Sequence, residues 1–260
     1  MNTYSPEFYQ NRHQKTLYSA QTILSILLKQ IPKINSAVDI GCGVGTWLSV
    51  LQNKGVKQIQ GIDGDWVDPE FLVIPKDCFQ QADLSQMIKP SQNYDLAISL
   101  EVAEHLAPDC AEDFVSMLTE LSDYILFSAA IPGQGGINHV NEQWQDYWVN
   151  LFNNLNYEVH DLIRPAIWQD DRIPFWYRQN ILLFSRQDKS PNITSYSGNV
   201  NTNELMLNAI HPNLYQQKRK AIQKQQETLH GNIGVKHSIK LFFSSWKYYI
   251  KRKFGQNQNN

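Results

Sequence analysis

The chain has 260 residues, with 42% hydrophobic and 18% charged side chains, enough for one large core with additions and unlike a disordered chain. Three cysteines, Cys42, Cys78 and Cys110, form no CxxC pair and leave an odd count, which argues against a disulfide framework or a cysteine zinc site and favours a reducing, cytoplasmic setting. Formal net charge is −2, but unevenly placed: residues 211–260 hold 10 Lys+Arg and one acid, Glu227, leaving 13 Lys+Arg against 24 Asp+Glu before them, so +9 follows −11.

The first 14 residues are polar and aromatic rather than apolar, so no secretory signal is expected, and no apolar run approaches the ~18 residues of a membrane span. Residues 16–31 place Leu17, Ala20, Ile23, Leu24, Leu27 and Leu28 at helical spacing, closed by Pro32. Short apolar runs then predict strands over 37–40, 58–62, 79–82, 94–100, 124–128, 157–162 and 180–184, with helices such as 46–52 and 109–121 between them. The alternation predicts an α/β fold: a three-layer, Rossmann-like, mostly parallel seven-stranded sheet with ligands at the carboxyl ends of its strands. The catalytic domain is expected over 1–190, a polar linker over 191–203, a basic helical extension over 204–254 and a disordered tail over 255–260.

Six of 13 glycines fall between Gly41 and Gly64, and the first three form Asp39-Ile40-Gly41-Cys42-Gly43-Val44-Gly45 at a strand-to-helix turn. Glycine there permits positive φ and a close ligand approach, and the amides opening the next helix suit an anionic group such as a carboxylate. A nicotinamide-binding turn is the rival reading, since Gly41-x-Gly43-x-x-Thr46 nearly matches that fingerprint. Asp63, before Gly64 at the end of the second strand, is placed to accept hydrogen bonds from ribose hydroxyls, which suits either cofactor. Asp83-Leu84 follows the third strand, as though to bond an adenine amine and cover its ring.

In this order the motifs resemble the class I S-adenosylmethionine-dependent methyltransferase family, over about residues 9–184. The resemblance implies that S-adenosylmethionine is held by Asp39, Gly41, Cys42, Gly43, Gly45, Asp63, Gly64, Asp83 and Leu84.

After the fourth strand, Glu101-Val102-Ala103-Glu104-His105 is expected to open a helix and turn two carboxylates and an imidazole to one point. His139 follows a second glycine cluster, Gly133, Gly135 and Gly136, beyond the fifth strand. Such ligands suit Mg²⁺, Mn²⁺ or Zn²⁺, which would acidify a substrate hydroxyl; the bland alternatives are a cofactor-bordering Glu101, a solvated Glu104 and a metal-free general base at His105. The Glu-x-x-Glu-His arrangement resembles ubiquinone-pathway O-methyltransferases, and with His139 it is similar to the Mg²⁺ site of small-RNA 2′-O-methyltransferases. The excess of acid before residue 211 disfavours a phosphate-rich substrate. Residues 134–148, 164–168 and 175–180 resemble bacterial methyltransferases of glycan and natural-product clusters.

Trp144, Tyr177 and Arg178 are accordingly candidates to contact a sugar or small ring, against a core role for most of these aromatics. The expected activity is methylation of a hydroxyl on a glycan or polyhydroxylated small molecule. N- or carboxyl-methylation, RNA 2′-O-methylation, a nicotinamide oxidoreductase and a catalytically silent scaffold are the alternatives.

In the extension, Ile239, Phe242, Phe243, Trp246, Tyr249 and Ile250 recur at i, i+3, i+4, i+7, i+10 and i+11, among Lys240, Lys247, Lys251, Arg252 and Lys253. Residues 236–254 suit docking on the enzyme's own core or on a second subunit in a homo-oligomer, or peripheral contact with the inner membrane surface; no strong nucleic-acid signal accompanies them.

Overall fold

A computed structural model describes residues 6–86, 92–189, 207–229 and 235–254. The expected linker over 191–203 and tail over 255–260 lie outside the described residues. The chain divides into two compact units, Met1–His211 and Pro212–Asn260.

The first unit runs α1 (Pro6–Leu27), β1 (Ser36–Ile40), α2 (Thr46–Asn53), β2 (Gln58–Asp63), β3 (Phe79–Gln81), β4 (Leu96–Leu100), α3 (Ala111–Leu121), β5 (Tyr124–Ser128), α4 (Gln145–Asn154), β6 (Tyr157–His160), α5 (Arg164–Ile167), α6 (Phe175–Asn180) and β7 (Leu182–Arg186). The strands form one seven-stranded sheet of order β3-β2-β1-β4-β5-β7-β6, parallel except where β7 runs antiparallel to β5 and β6. Strand order reverses between β1 and β4, which opens a crevice at their carboxyl ends.

Both faces of the sheet are covered, so β4 and β5 are buried at every residue. Successive side chains alternate between two cores: Leu96, Ile98, Leu100, Leu126 and Leu183 pack with α1 and α2, whereas Ala97, Ile125, Phe127, Leu182 and Phe184 pack with α3 and α4. Helix α2 opens at Gly45 without a side-chain cap, a loss of only about a few tenths of a kcal/mol. Burial of its Trp47, Leu48, Val50 and Leu51 outweighs that at about 1.5–3 kcal/mol each.

The expected elements are present with shifted ends. Helix α1 starts at Pro6, a residue suited to a first turn because its missing N–H needs no partner, and ends at Leu27 in a tight turn, Gln30 N donating to Leu27 O. Strand β4 starts at Leu96 rather than residue 94 because the Asp95 carboxylate turns back to accept from Asn35 N and Ser36 N, at 2.6 and 3.0 Å. Strand β7 spans Leu182–Arg186 because Asn180 ends α6. Residues 101–105 do not open a long helix: Ala103–His105 is a single 3₁₀ turn, and Pro108 starts another before α3 begins at Ala111. Proline disfavours helical backbone at Ala107, which is extended at ψ 146°.

Residues 207–211 are tied within the first unit: Arg164 Nη1 donates to Leu207 O, Asn208 bonds Asp146, and His211 N donates to Gln179 Oε1 at 2.8 Å. The second unit holds α7 (Pro212–Leu229) and α8 (Val235–Phe254). Among the described residues, no helix is long and apolar enough to cross a membrane.

Candidate active site

The glycine turn leaves β1 with Gly41, Gly43 and Gly45 all at positive φ, +83°, +54° and +84°. At Gly41 a β-carbon would stand 2.2 Å from Val102 Cγ2, so both conformation and space demand glycine; at Gly43 nothing lies within 4 Å. Gly41 N and Cys42 N donate to Ile62 O, locking the turn to β2. The Asp63 carboxylate accepts from Gly43 N at 2.6 Å and from Gly64 N at 2.7 Å. Asp63 thus braces the turn.

Asp39 is 2% exposed and its Oδ2 has no hydrogen-bond partner. Burial, then the charge of Asp63, holds its carboxyl well above the usual range. Two carboxyls and an open glycine face fit a ligand carrying a sulfonium and an ammonium, because a nearby cation would stabilise the carboxylates that burial disfavours. Cys42 contributes only backbone here: its side chain packs in the core shared with α1 and α2, and burial pushes its thiol pKa up. Past β3, Asp83 is exposed and its Oδ1 accepts from Ser85 Oγ and Ser85 N, bonds that hold its carboxyl below the usual range. Leu84 beside it is buried. Over Gly64 lies the exposed Trp66 indole, 2.1 Å from where a β-carbon would stand, a cover to which the sequence reading assigned no role.

The second cluster stands at the carboxyl ends of β4 and β5. Glu101 follows β4 at φ +57°, a conformation rare without glycine. Its N–H donates to Ser128 O, and its carboxylate accepts from Asn180 Nδ2 at 3.1 Å and Gln134 Nε2 at 3.0 Å. Gln134 Oε1 in turn accepts from Asn180 and Gln179. Burial raises the Glu101 pKa against these bonds.

Glu104 is fully buried, and neither carboxyl oxygen makes a hydrogen bond of normal geometry. Desolvation, then the charge of Glu101, pushes its pKa up to about 9, although its own amide and that of Ala130 lie near enough to oppose the rise. Its carbonyl accepts from Val140 N and Asn141 N, which holds the strand of chain carrying His139 against the 3₁₀ turn.

His139 Nδ1 is 2.8 Å from Glu142 Oε1, and the same carboxylate accepts from Gly133 N and Gly135 N, each at 2.7 Å. Those three hydrogen bonds keep Glu142 ionised below the usual range, overcoming the desolvation that opposes them. The His139 ring meets the exposed His105 edge-on, centroids 4.8 Å apart, and its Nε2 would be 2.0 Å from a β-carbon on Gly136. One ligand atom each from Glu104, His105 and His139 fall within 4.8 Å of one another.

Three of the four residues expected around a divalent ion therefore converge, while Glu101 is not in that group, its carboxylate being engaged by Asn180 and Gln134. Glu142, to which the sequence reading assigned no role, orients His139; its signal was the His139-x-x-Glu142 spacing beside Gly133 and Gly135.

Of the expected acceptor contacts, Trp144 is 36% exposed at the start of α4. Tyr177 is buried, its ring edge-on to Trp47 at 5.5 Å. Arg178 is 2% exposed and gives Nη1 to Trp168 O and Asp171 Oδ1, so its guanidinium is committed within the fold.

No curated protein matches the chain. Among solved structures, the methyltransferase domain of bacterial CtHen1-C is similar at 21% identity and a TM-score of 0.45, over 66% of this chain and 97% of that one. Magnesium protoporphyrin IX methyltransferase from Synechocystis PCC 6803, solved with bound S-adenosylmethionine, is 20% identical with a TM-score of 0.47, over 67% and 79%. An O-methyltransferase family protein from Burkholderia thailandensis is 12% identical with a TM-score of 0.48, over 67% of this chain and only 55% of its own. Residues 10–162, more than half of the chain, match the family described as a methyltransferase domain, which sets the nicotinamide reading aside. The chain belongs to the class I S-adenosylmethionine-dependent methyltransferase family.

Proposed function

We propose that the enzyme methylates a hydroxyl on a sugar, glycan or similar polyhydroxylated small molecule, with a divalent ion held by Glu104, His105 and His139. The observation that carries this reading is Glu104: a fully buried carboxyl with both oxygens unpartnered, beside two imidazoles whose nitrogens lie within reach of one point. An isolated buried carboxylate is costly, and a cation between it and the imidazoles removes the cost.

When bound, S-adenosylmethionine supplies an electrophilic methyl on a cationic sulfur, and a divalent ion supplies the Lewis acidity that lowers a hydroxyl pKa. The chain's own part is placement. The backbone of Gly41, Gly43 and Gly45 receives the amino-acid end of the cofactor, Asp39 and Asp63 provide negative charge and ribose contacts, and Asp83 with Leu84 borders the base. Glu101 fixes Gln134 and Asn180 on the floor of the acceptor side. Alignment of oxygen and methyl supplies most of the rate, and loss of the hydroxyl proton adds to it. Trp144 offers a flat, part-exposed face for a sugar ring. The −11 charge before residue 211 supports a neutral acceptor over a polyphosphate.

The test is a mass-spectrometric screen for +CH₂ products over glycans and hydroxylated metabolites, with and without EDTA, alongside calorimetry with S-adenosylhomocysteine. Products that need a divalent ion and vanish in His105→Ala are expected. Methylation that survives both EDTA and His105→Ala removes the metal-assisted reading while leaving cofactor binding intact. Products on amines, carboxylates or RNA ends alone would replace the acceptor class.

A further inference from the structure

Helix α8 carries an aromatic arc that includes none of the residues placed in the candidate site. At ~100° per residue, Ile239, Phe242, Phe243, Trp246 and Tyr249 fall within an arc of about 120°. Each of these five is at least half exposed, from 50% at Ile239 to 67% at Phe242. Lys236, Lys240 and Lys247, all exposed, line one flank of the arc. Across Val235–Phe254 there is no Asp or Glu, against six Lys and Arg.

We infer that α8 is a peripheral membrane anchor that lies along an anionic lipid surface, with Phe242, Phe243 and Trp246 in the acyl–headgroup boundary and the lysine flank on the headgroups. Three properties of the helix favour that occupant. An apolar arc of aromatic residues beside a cationic flank matches a surface whose interior is apolar and whose face is negative. Trp and Tyr are amphipathic rings suited to a boundary with one apolar and one wet side. Pairing of two copies through this face is opposed by charge: Lys240 and Lys247 border the seam on both copies, with no carboxylate on either helix to answer them. The span of 20 residues is too cationic to cross a bilayer, so it lies in the plane.

The test is co-sedimentation of the 260-residue chain with vesicles of phosphatidylcholine alone and of phosphatidylcholine with about 30% phosphatidylglycerol. Binding to the anionic vesicles, weakened by salt and absent from the neutral ones, is expected. Lys240→Gln with Lys247→Gln should lower affinity about fivefold per lysine, and Phe243→Ser with Trp246→Ser should lower it at least as much. These exposed substitutions should leave the affinity for S-adenosylhomocysteine unchanged. No binding to anionic vesicles, binding indifferent to both double variants, or light scattering that shows a dimer lost in Phe243→Ser with Trp246→Ser would each overturn the inference.

Discussion

The two halves of the candidate site are built from different materials. At the ends of β1 and β2, backbone does the shaping: glycines at positive φ, amides locked onto Ile62 O and Asp63, and side chains kept out by Val102. At the ends of β4 and β5, side chains do it: a buried Glu104, two imidazoles, and carboxylates at 101 and 142 that hold their neighbours by hydrogen bonds. Backbone shape at Gly41 is intolerant of added atoms, whereas the side-chain cluster consists of groups whose protonation depends on their surroundings. Substitutions should therefore separate the two halves.

The largest effect belongs to Gly41→Ala. A β-carbon there adds αL strain to a clash with the buried, branched Val102, together about 2–5 kcal/mol of stability. Denaturant unfolding should show that loss and calorimetry a collapse of S-adenosylhomocysteine affinity. A variant with wild-type stability would mean that the turn is softer than its geometry.

Glu142→Ala tests the other half. Without its latch on His139, Mn²⁺ affinity should fall about 10–100-fold, with S-adenosylhomocysteine affinity unchanged. Equal Mn²⁺ titrations for variant and wild type would reduce Glu142 to a brace for Gly133 and Gly135.

Glu104→Gln sharpens the comparison through pH. In the folded, metal-free protein Glu104 holds its proton up to about pH 9, whereas an unfolded glutamate releases it near ~4.3. The folded state thus binds more protons between those values, and the contribution of Glu104 to stability is full below the lower one and is lost as pH rises toward the upper. Relative to Glu104→Gln, the metal-free wild type should lose on the order of 4 kcal/mol between pH 5 and pH 8, measured by denaturant unfolding in EDTA. A pH-independent difference would mean that Glu104 is already ionised and paired.

Gly43→Ala should have the smallest effect. Its φ of +54° is the mildest of the turn and space around it is open, so about 1–2 kcal/mol of αL strain is the whole cost. A far larger loss of S-adenosylhomocysteine affinity than of stability would show that the open space is where the ligand lies.

This contrast also governs what could be read in advance. The strand-to-helix turn at Gly41–Gly45, the acid closing β2 and the aromatic stripe of α8 are local patterns, set by backbone conformation and helical period over a few residues, so sequence alone determined them. Only the tertiary structure decided which of the four candidate residues come together. Asn180 reaches Glu101 across 79 residues of sequence and Gln134 across 33, which draws that carboxylate into a hydrogen-bond network, while Glu104, one turn on, is left buried without partners. Likewise α6 turns Arg178, a candidate acceptor contact, inward to Trp168 O and Asp171. Spacing reports which groups share a face of one element; which distant group reaches them first depends on how the elements pack, because buried polar atoms take whatever partner the fold delivers.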